Sequence, residues 1–366
     1  MAKQGQEDMR VYVGTYTDGD SEGIYVYRLD GSSGALAYES KATGVENPSF
    51  LAIGPQGRFL YAVNEIEEFN GGPAGSVSAF SIEAHTGGLT FLNRRSTGGP
   101  GPCHLSIDRT GACVLAANYG GGSVSMLPIH HDGTLGDATG FIQHKGSSVD
   151  PERQEGPHAH SIVISPDNRC AFAPDLGLDE ILIYKLDLTG GQLIPNDPPS
   201  VAVAAGAGPR HFDFHPDGKY AYVINEIGNT ITAFGYDEAR GALHAIETVP
   251  TLPDDFEGVS HTADIHVHRS GKILYGSNRG HDSIVIFRID QDTGRLTYVD
   301  HASTRGQNPR NFAIDPTGSY LLAANQDTGN IVVFRIDEQT GRLTPTGHSA
   351  DVPAPVCLKL IPVPTR

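Results

Sequence analysis

One short segment recurs seven times along this chain at intervals near 50 residues, and that repeat constrains the fold more than any other feature. It reads NPSFLAI from Asn47, GPCHLSI from Gly101, AHSIVI from Ala159, GPRHFDF from Gly208, TADIHV from Thr262, NPRNFAI from Asn308 and APVCLKL from Ala354. Each of the first six is followed by a turn such as GPQG, HPDG or DPTG and then by an apolar run ending in Asn or Asp. Pro48 to Asn64, Pro102 to Asn118, Ala159 to Asp175, Pro209 to Asn225, Thr262 to Asn278 and Pro309 to Asn325 are all sixteen residues, the constancy of a tight hairpin in fixed register. An alternating strand such as SVSAFSI or NIVVFRI comes next, with one buried and one exposed face. A turn then ends in Leu36, Leu89, Leu135, Leu193, Leu243, Leu296 or Leu343, again seven.

The pattern predicts an all-β, seven-bladed β-propeller of four-stranded antiparallel blades. The first unit lacks an inner strand and the final segment lacks the other three. Pairing the C-terminal inner strand with the N-terminal blade therefore closes the ring and removes a free edge.

Length alone, at 366 residues, suggests two or three domains, but the repeat makes residues 1–366 one domain, with 1–10 expected to be disordered. No apolar run approaches the roughly 18 residues of a membrane span. The short, polar N-terminus lacks the apolar core of a secretory signal, and Cys103, Cys113, Cys170 and Cys357 show no CxxC spacing. Both features point to a cytoplasmic protein. A formal charge of −17 argues against nucleic acid as a partner, so a small anionic substrate must find a local cationic pocket. A monomer or weak homo-oligomer is expected.

Antiparallel strand order brings the start of each first strand and the end of each second strand to one face, around the channel mouth. The position after each inner-strand anchor supplies Ser49, Cys103, His160, Arg210, Ala263, Arg310 and Val356, with His104, Ser161, His211, Asp264, Asn311 and Cys357 beside them. The position after each second-strand Asn or Asp supplies Glu65, Tyr119, Leu176, Glu226, Arg279 and Gln326, with Tyr16 from the first unit. A structural repeat would use similar residues all round, whereas His160, Arg210, Glu226, Arg279 and Arg310 break the symmetry. The recurring Asn column suits strand-end capping, although Asn225 and Asn278 also stand as candidate substrate ligands with Gln326, His104, His211 and Asp264. Two linkers are long, Leu135 to Ala159 and Leu243 to Thr262; their residues HKGSSVDPERQEGPH and PDDFEGVSH are expected to stand over the pocket.

At GAGPRHFDFHPDGKYAYVINE, ADIHVHRSGKILYGSNRGHDSI and NPRNFAIDPTGSYLLAANQ the chain resembles the lactonase family of seven-bladed propellers, and the match runs from VYVGTYT at Val11 to the last inner strand. That family includes propeller-type 6-phosphogluconolactonases and carboxy-cis,cis-muconate cyclases. The resemblance implies cofactor-free hydrolysis of 6-phosphogluconolactone, a step of the pentose phosphate pathway, or lactonisation of a muconate. It also implies a His, two Arg and a Glu at the mouth, which match His160, Arg210, Glu226 and Arg279.

Elementary chemistry agrees with that set. Opening a lactone needs a base to activate water and positive charge where the oxyanion develops. His160 suits the base because imidazole titrates near neutrality; Glu226 competes, though neighbouring arginines weaken it. Arg210, Arg279 and Arg310 are candidate ligands for a phosphate or carboxylate. The pairs His158 with His160 and His266 with His268 lack a third ligand of clear spacing, so no metal is expected. A non-catalytic propeller would instead present an apolar face to a protein partner.

Overall fold

The computed structural model describes residues 7–364. Their strands form seven four-stranded antiparallel sheets, and the inner strands pack against one another around an axis. Blade 1 joins Pro355–Pro362 to Met9–Thr15, Gly23–Leu29 and Leu36–Thr43, and its pairing runs from Met9 opposite Pro362 to Thr15 opposite Pro355. The two chain ends thus close the ring. Expected disorder over 1–10 fails at its end, because Met9 and Arg10 lie in that strand and are buried; residues 1–6 lie outside the described residues.

Blades 2 to 7 follow the repeat in order. The second strands, such as Tyr220–Asn225 and Tyr320–Asn325, are buried along their whole length because a neighbouring sheet covers each face. Their tyrosines also stitch blades together. Tyr12, Tyr61, Tyr222 and Tyr275 each send a hydroxyl to a glycine carbonyl in the outer turn of the next blade: Gly87, Gly133, Gly294 and Gly341. A chain without tryptophan here uses a buried ring with a satisfied polar tip as its inter-blade lock. Outer strands are shorter or more exposed, and the turn leucine Leu135 precedes an outer strand of only four residues, Gly140–Gln143.

A one-residue bulge at the start of several inner strands is the feature that builds the site. In blade 5, Pro209 pairs with Asn225 and His211 with Ile224, leaving Arg210 as the extra residue. Cys103 and Arg310 are the extra residues of the same bulge in blades 3 and 7. Blade 4 shows the same excess between Ala159, bridged to Asp175, and Val163, paired with Phe172, a span that contains His160. Bulges re-aim a side chain and end regular pairing. The residue before the anchor proline has left-handed φ, 65° at Gly208 and 59° at Asn308, conformations that glycine and asparagine tolerate.

Candidate active site

The backbone first brings the two mouth columns together. Glu226 donates its N–H to the Gly208 carbonyl at 2.7 Å, Glu65 to Asn47 at 3.0 Å, Tyr119 to Gly101 at 2.8 Å and Gln326 to Asn308 at 3.0 Å. Each second-strand end is thereby pinned beside the bulge of its own blade.

Glu226 is the centre of the cluster. Its Oε2 accepts from Arg210 Nε at 2.8 Å and lies 2.9 Å from a terminal nitrogen of Arg279; its Oε1 accepts from Arg153 at 2.6 Å. Burial pushes the carboxyl pKa up, but the charges of Arg279 and Arg210 outweigh it and hold the group well below the usual carboxylate range. Arg210, almost fully buried, also donates to the Ala263 carbonyl at 2.6 Å, and Arg279 donates to the Thr262 carbonyl at 2.9 Å. Burial draws Arg279 down to about 10.

His160 Nε2 stands 3.8 Å from Glu226 Oε2, beyond hydrogen-bond reach, while its Nδ1 lies 3.6 Å from the Cys103 sulfur. Burial, then the charge of Arg210, holds this imidazole well below the ordinary histidine pKa. It is therefore neutral near pH 7, with a lone pair available to accept a proton. Burial also pushes the Cys103 thiol up, so the sulfur beside it is a thiol and not a thiolate.

Arg310 differs from the other arginines. Its guanidinium lies over the Tyr16 ring at 5.4 Å and makes no hydrogen bond or ion pair with the described residues. Burial opposes its charge, but Tyr16, Glu65 and Glu226 raise its pKa. Tyr16 in turn donates to Glu65 at 3.0 Å.

A lower tier lines the channel beneath this mouth. His211 meets the His160 ring at 5.5 Å and hydrogen-bonds Asp264 through Nδ1 at 2.7 Å; Asp264 also accepts from Asn311 at 2.6 Å and lies 3.1 Å from His266 Nε2. His104 packs on Phe50 at 4.2 Å and its Nδ1 accepts the Ile162 N–H at 3.3 Å. Burial takes His211 down to about 4 and His104 well below its ordinary value. Asp264 is thus a hub that bonds its neighbours. His268 lies elsewhere, with Nε2 3.0 Å from the Gly318 carbonyl. Among the described residues no three His, Cys, Asp or Glu side chains form a group that could hold a metal ion.

Two candidates point into their blades. Asn225 and Asn278 are fully buried, and their amides cap strands: Asn225 donates to Thr230 and Thr232, Asn278 to the Thr251 carbonyl and Ser283. Neither is open to a ligand. Gln326, half-buried at the mouth, makes no side-chain hydrogen bond with the described residues. Both long loops reach the cluster, the first through Arg153 and the second through His261, whose carbonyl accepts from Arg279 Nε at 3.3 Å. In the second loop Ser260 also donates to the Arg279 carbonyl at 2.9 Å, and Phe256 packs on His281 at 4.9 Å. Arg153 was not singled out from sequence; the one available signal was a cation in the middle of an unusually long mouth loop.

A family model for the lactonase seven-bladed β-propeller matches residues 10–360. The chain belongs to that family. It is 42% identical over 350 residues to a 6-phosphogluconolactonase of Bacillus subtilis, covering 96% of this chain and 97% of the relative. It is 36% identical to a 6-phosphogluconolactonase of Formosa agariphila, covering 84% and 87%. Among solved structures, a periplasmic gluconolactonase of Pseudomonas aeruginosa superposes with a TM-score of 0.92 at 34% identity, covering 98% of this lactonase and all of that chain. No helix among the described residues of this family member is long and apolar enough to cross a membrane.

Proposed function

We propose that this lactonase hydrolyses 6-phosphogluconolactone to 6-phosphogluconate. One observation carries the reading: the mouth holds an unpaired guanidinium, Arg310, in the same cluster as a buried neutral imidazole, His160. A half-buried cation with no hydrogen-bond or ion-pair partner among the described residues favours an anionic ligand, and a phosphate can meet it with two parallel hydrogen bonds.

In this reading His160 Nε2 takes a proton from water as the water oxygen attacks the lactone carbonyl carbon. Positive charge from Arg210 and Arg279 stabilises the oxygen that becomes anionic. The ring C–O bond then breaks, and its oxygen leaves as a hydroxyl with the proton returned by His160. Glu226 is too strongly held as a carboxylate by its arginines to serve well as the base, so its role is to fix and partly neutralise them. His211, held by Asp264, positions the His160 ring from below.

The relatives named above are lactonases and not cyclases, which favours hydrolysis over muconate cyclisation. The charged mouth likewise disfavours a non-catalytic protein-binding module. Four free, buried cysteines support a cytoplasmic location.

The test compares hydrolysis of 6-phosphogluconolactone and glucono-1,5-lactone with the spontaneous rates. Acceleration that is larger for the phosphorylated compound and lost in His160→Asn is expected. Equal rates with and without the wild-type chain reject the proposal.

A further inference from the structure

Two glutamates occupy equivalent second-strand positions at the mouth, Glu65 in blade 2 and Glu226 in blade 5, and their surroundings are opposite. Glu226 is enclosed by Arg153, Arg210 and Arg279. Glu65 has no ion pair within 4 Å among the described residues. It accepts from the Tyr16 hydroxyl, at 3.1 and 3.0 Å to its two oxygens, and from the Ser49 hydroxyl. A carboxylate offers about four acceptor sites, so two hydroxyl donors leave room for another. Glu65 is half-buried, which leaves part of it reachable by a ligand.

Both glutamates border one mouth. Glu226 lies 3.8 Å from His160, which touches the Cys103 sulfur at 3.6 Å, while Arg310 sits over the ring of Tyr16, whose hydroxyl donates to Glu65. The mouth therefore has an arginine-rich side and, across the Tyr16 ring beneath Arg310, a carboxylate side without a cation bound to it. A ligand suited to both is anionic at one end and carries hydroxyl donors at the other. A di- or tricarboxylate that fills the mouth would set one of its charges against Glu65.

We propose that Glu65, braced by Tyr16 and Ser49, is a specificity-determining residue that accepts a hydrogen bond from a hydroxyl of a polyhydroxylated lactone and repels substrates bearing a further carboxylate. The proposal rests on the lactonase reading above and adds the residue that selects among possible substrates. A site that hydrogen-bonds a substrate hydroxyl discriminates strongly against the analogue lacking it, because its polar group is then left unpaired.

The test measures kcat/KM for glucono-1,5-lactone and for tetrahydropyran-2-one, the same ring without hydroxyls or hydroxymethyl group, in the wild type and in Glu65→Gln. Neither compound carries phosphate, so Arg310 does not bias the ratio. The preference for the hydroxylated lactone is expected to fall about 10- to 100-fold in E65Q, the scale of a hydrogen bond to a charged group. Inhibition by cis,cis-muconate is expected to strengthen in the same variant. Should E65Q fail to fold, Tyr16→Phe, which removes the hydroxyl that orients Glu65, is expected to lower the ratio several-fold. Equal loss on both lactones would assign Glu65 to the chemistry and overturn the proposal, as would an unchanged ratio with unchanged inhibition. If the wild type accelerates neither these lactones nor 6-phosphogluconolactone, the lactonase reading fails and this one with it; turnover with a ratio insensitive to E65Q sinks this inference alone.

Discussion

Arg210 Nε donates to Glu226 Oε2 at 2.8 Å from a bulge to the end of the next strand of the same blade, with both side chains almost completely buried. Such a pair gives little net stability over an apolar one, but breaking it leaves a buried charge uncompensated. Glu226→Gln is therefore expected to destabilise the fold by about 3 kcal/mol, the lower end for a broken buried pair. Urea unfolding would read that loss, and initial rates on the folded fraction should fall at least about 100-fold as the arginines lose their anchor. An unfolding midpoint equal to that of the wild type would show that Arg210 does not depend on this partner.

Arg153 binds the same carboxylate from a loop and is about a third exposed, at 34%. Solvent screens such a contact, so Arg153→Ala is expected to cost under about 1 kcal/mol of stability. Its consequence should lie in turnover, about a 10-fold drop in kcat/KM if the loop helps to hold Glu226 in place. A large drop in melting temperature with normal kinetics would reverse that assignment.

His160, as the proposed base, is expected to set the acid limb of activity. Its folded pKa lies well below the ordinary 6.5, so it remains an available base at pH 6, and kcat/KM should begin to fall only below that ordinary value. The sign for stability follows from the same shift. Below about pH 6.5 an unfolded histidine binds a proton that the folded one does not, so stability falls as acid is added. Glu226 acts in the same direction at lower pH, because its depressed folded pKa gives stability above the unfolded value that is lost as pH falls through the folded one. His266, raised chiefly by Asp264 against burial, acts oppositely: its contribution is present below the unfolded value and lost as pH rises through the folded one. A pH–rate profile with its acid limb at or above 6.5 would remove His160 as the base.

Arg310 should decide between phosphorylated and unphosphorylated lactones. Arg310→Met is expected to lower kcat/KM for 6-phosphogluconolactone about 100-fold, the scale of about 3 kcal/mol for a charge-assisted contact, and to affect glucono-1,5-lactone much less. Matching losses on both substrates would place Arg310 at the reacting carbonyl instead of at the phosphate.

Asn225 offers a contrast. Its amide joins Thr230 and Thr232 within the blade, and no part of it is exposed. Asn225→Ala is expected to cost about 1–3 kcal/mol in unfolding experiments through the two threonine hydroxyls it leaves without that partner. KM of the folded enzyme should be unchanged; a raised KM would return Asn225 to the substrate ligands.

Much of this protein is legible in its sequence, because the repeat is a local property written seven times. Fixed spacing between Pro209 and Asn225, and between their counterparts, specifies hairpin register without reference to the rest of the chain. Closure follows from counting strands, and the two mouth columns follow from strand direction. The asymmetry of the mouth was visible in the same way, as His160, Arg210, Glu226, Arg279 and Arg310 departing from their equivalents.

Pairing between blades is a matter of distance through space, and there the tertiary structure decided. Three arginines look alike along the chain, yet Arg210 and Arg279 are engaged by Glu226 and by backbone carbonyls, while the Arg310 guanidinium meets the Tyr16 ring and no carboxylate or carbonyl among the described residues. Arg153 comes from a loop with no repeat to place it, and the bulges that aim Arg210 and Arg310 are a one-residue excess that spacing between anchors does not reveal. Asn225 and Asn278 shared a face with the site in sequence but turned into the blade, because each buried amide is drawn to the nearest unsatisfied polar partner. Periodicity determines which residues reach the channel mouth; desolvation and the availability of partners there determine which of them remain free to act.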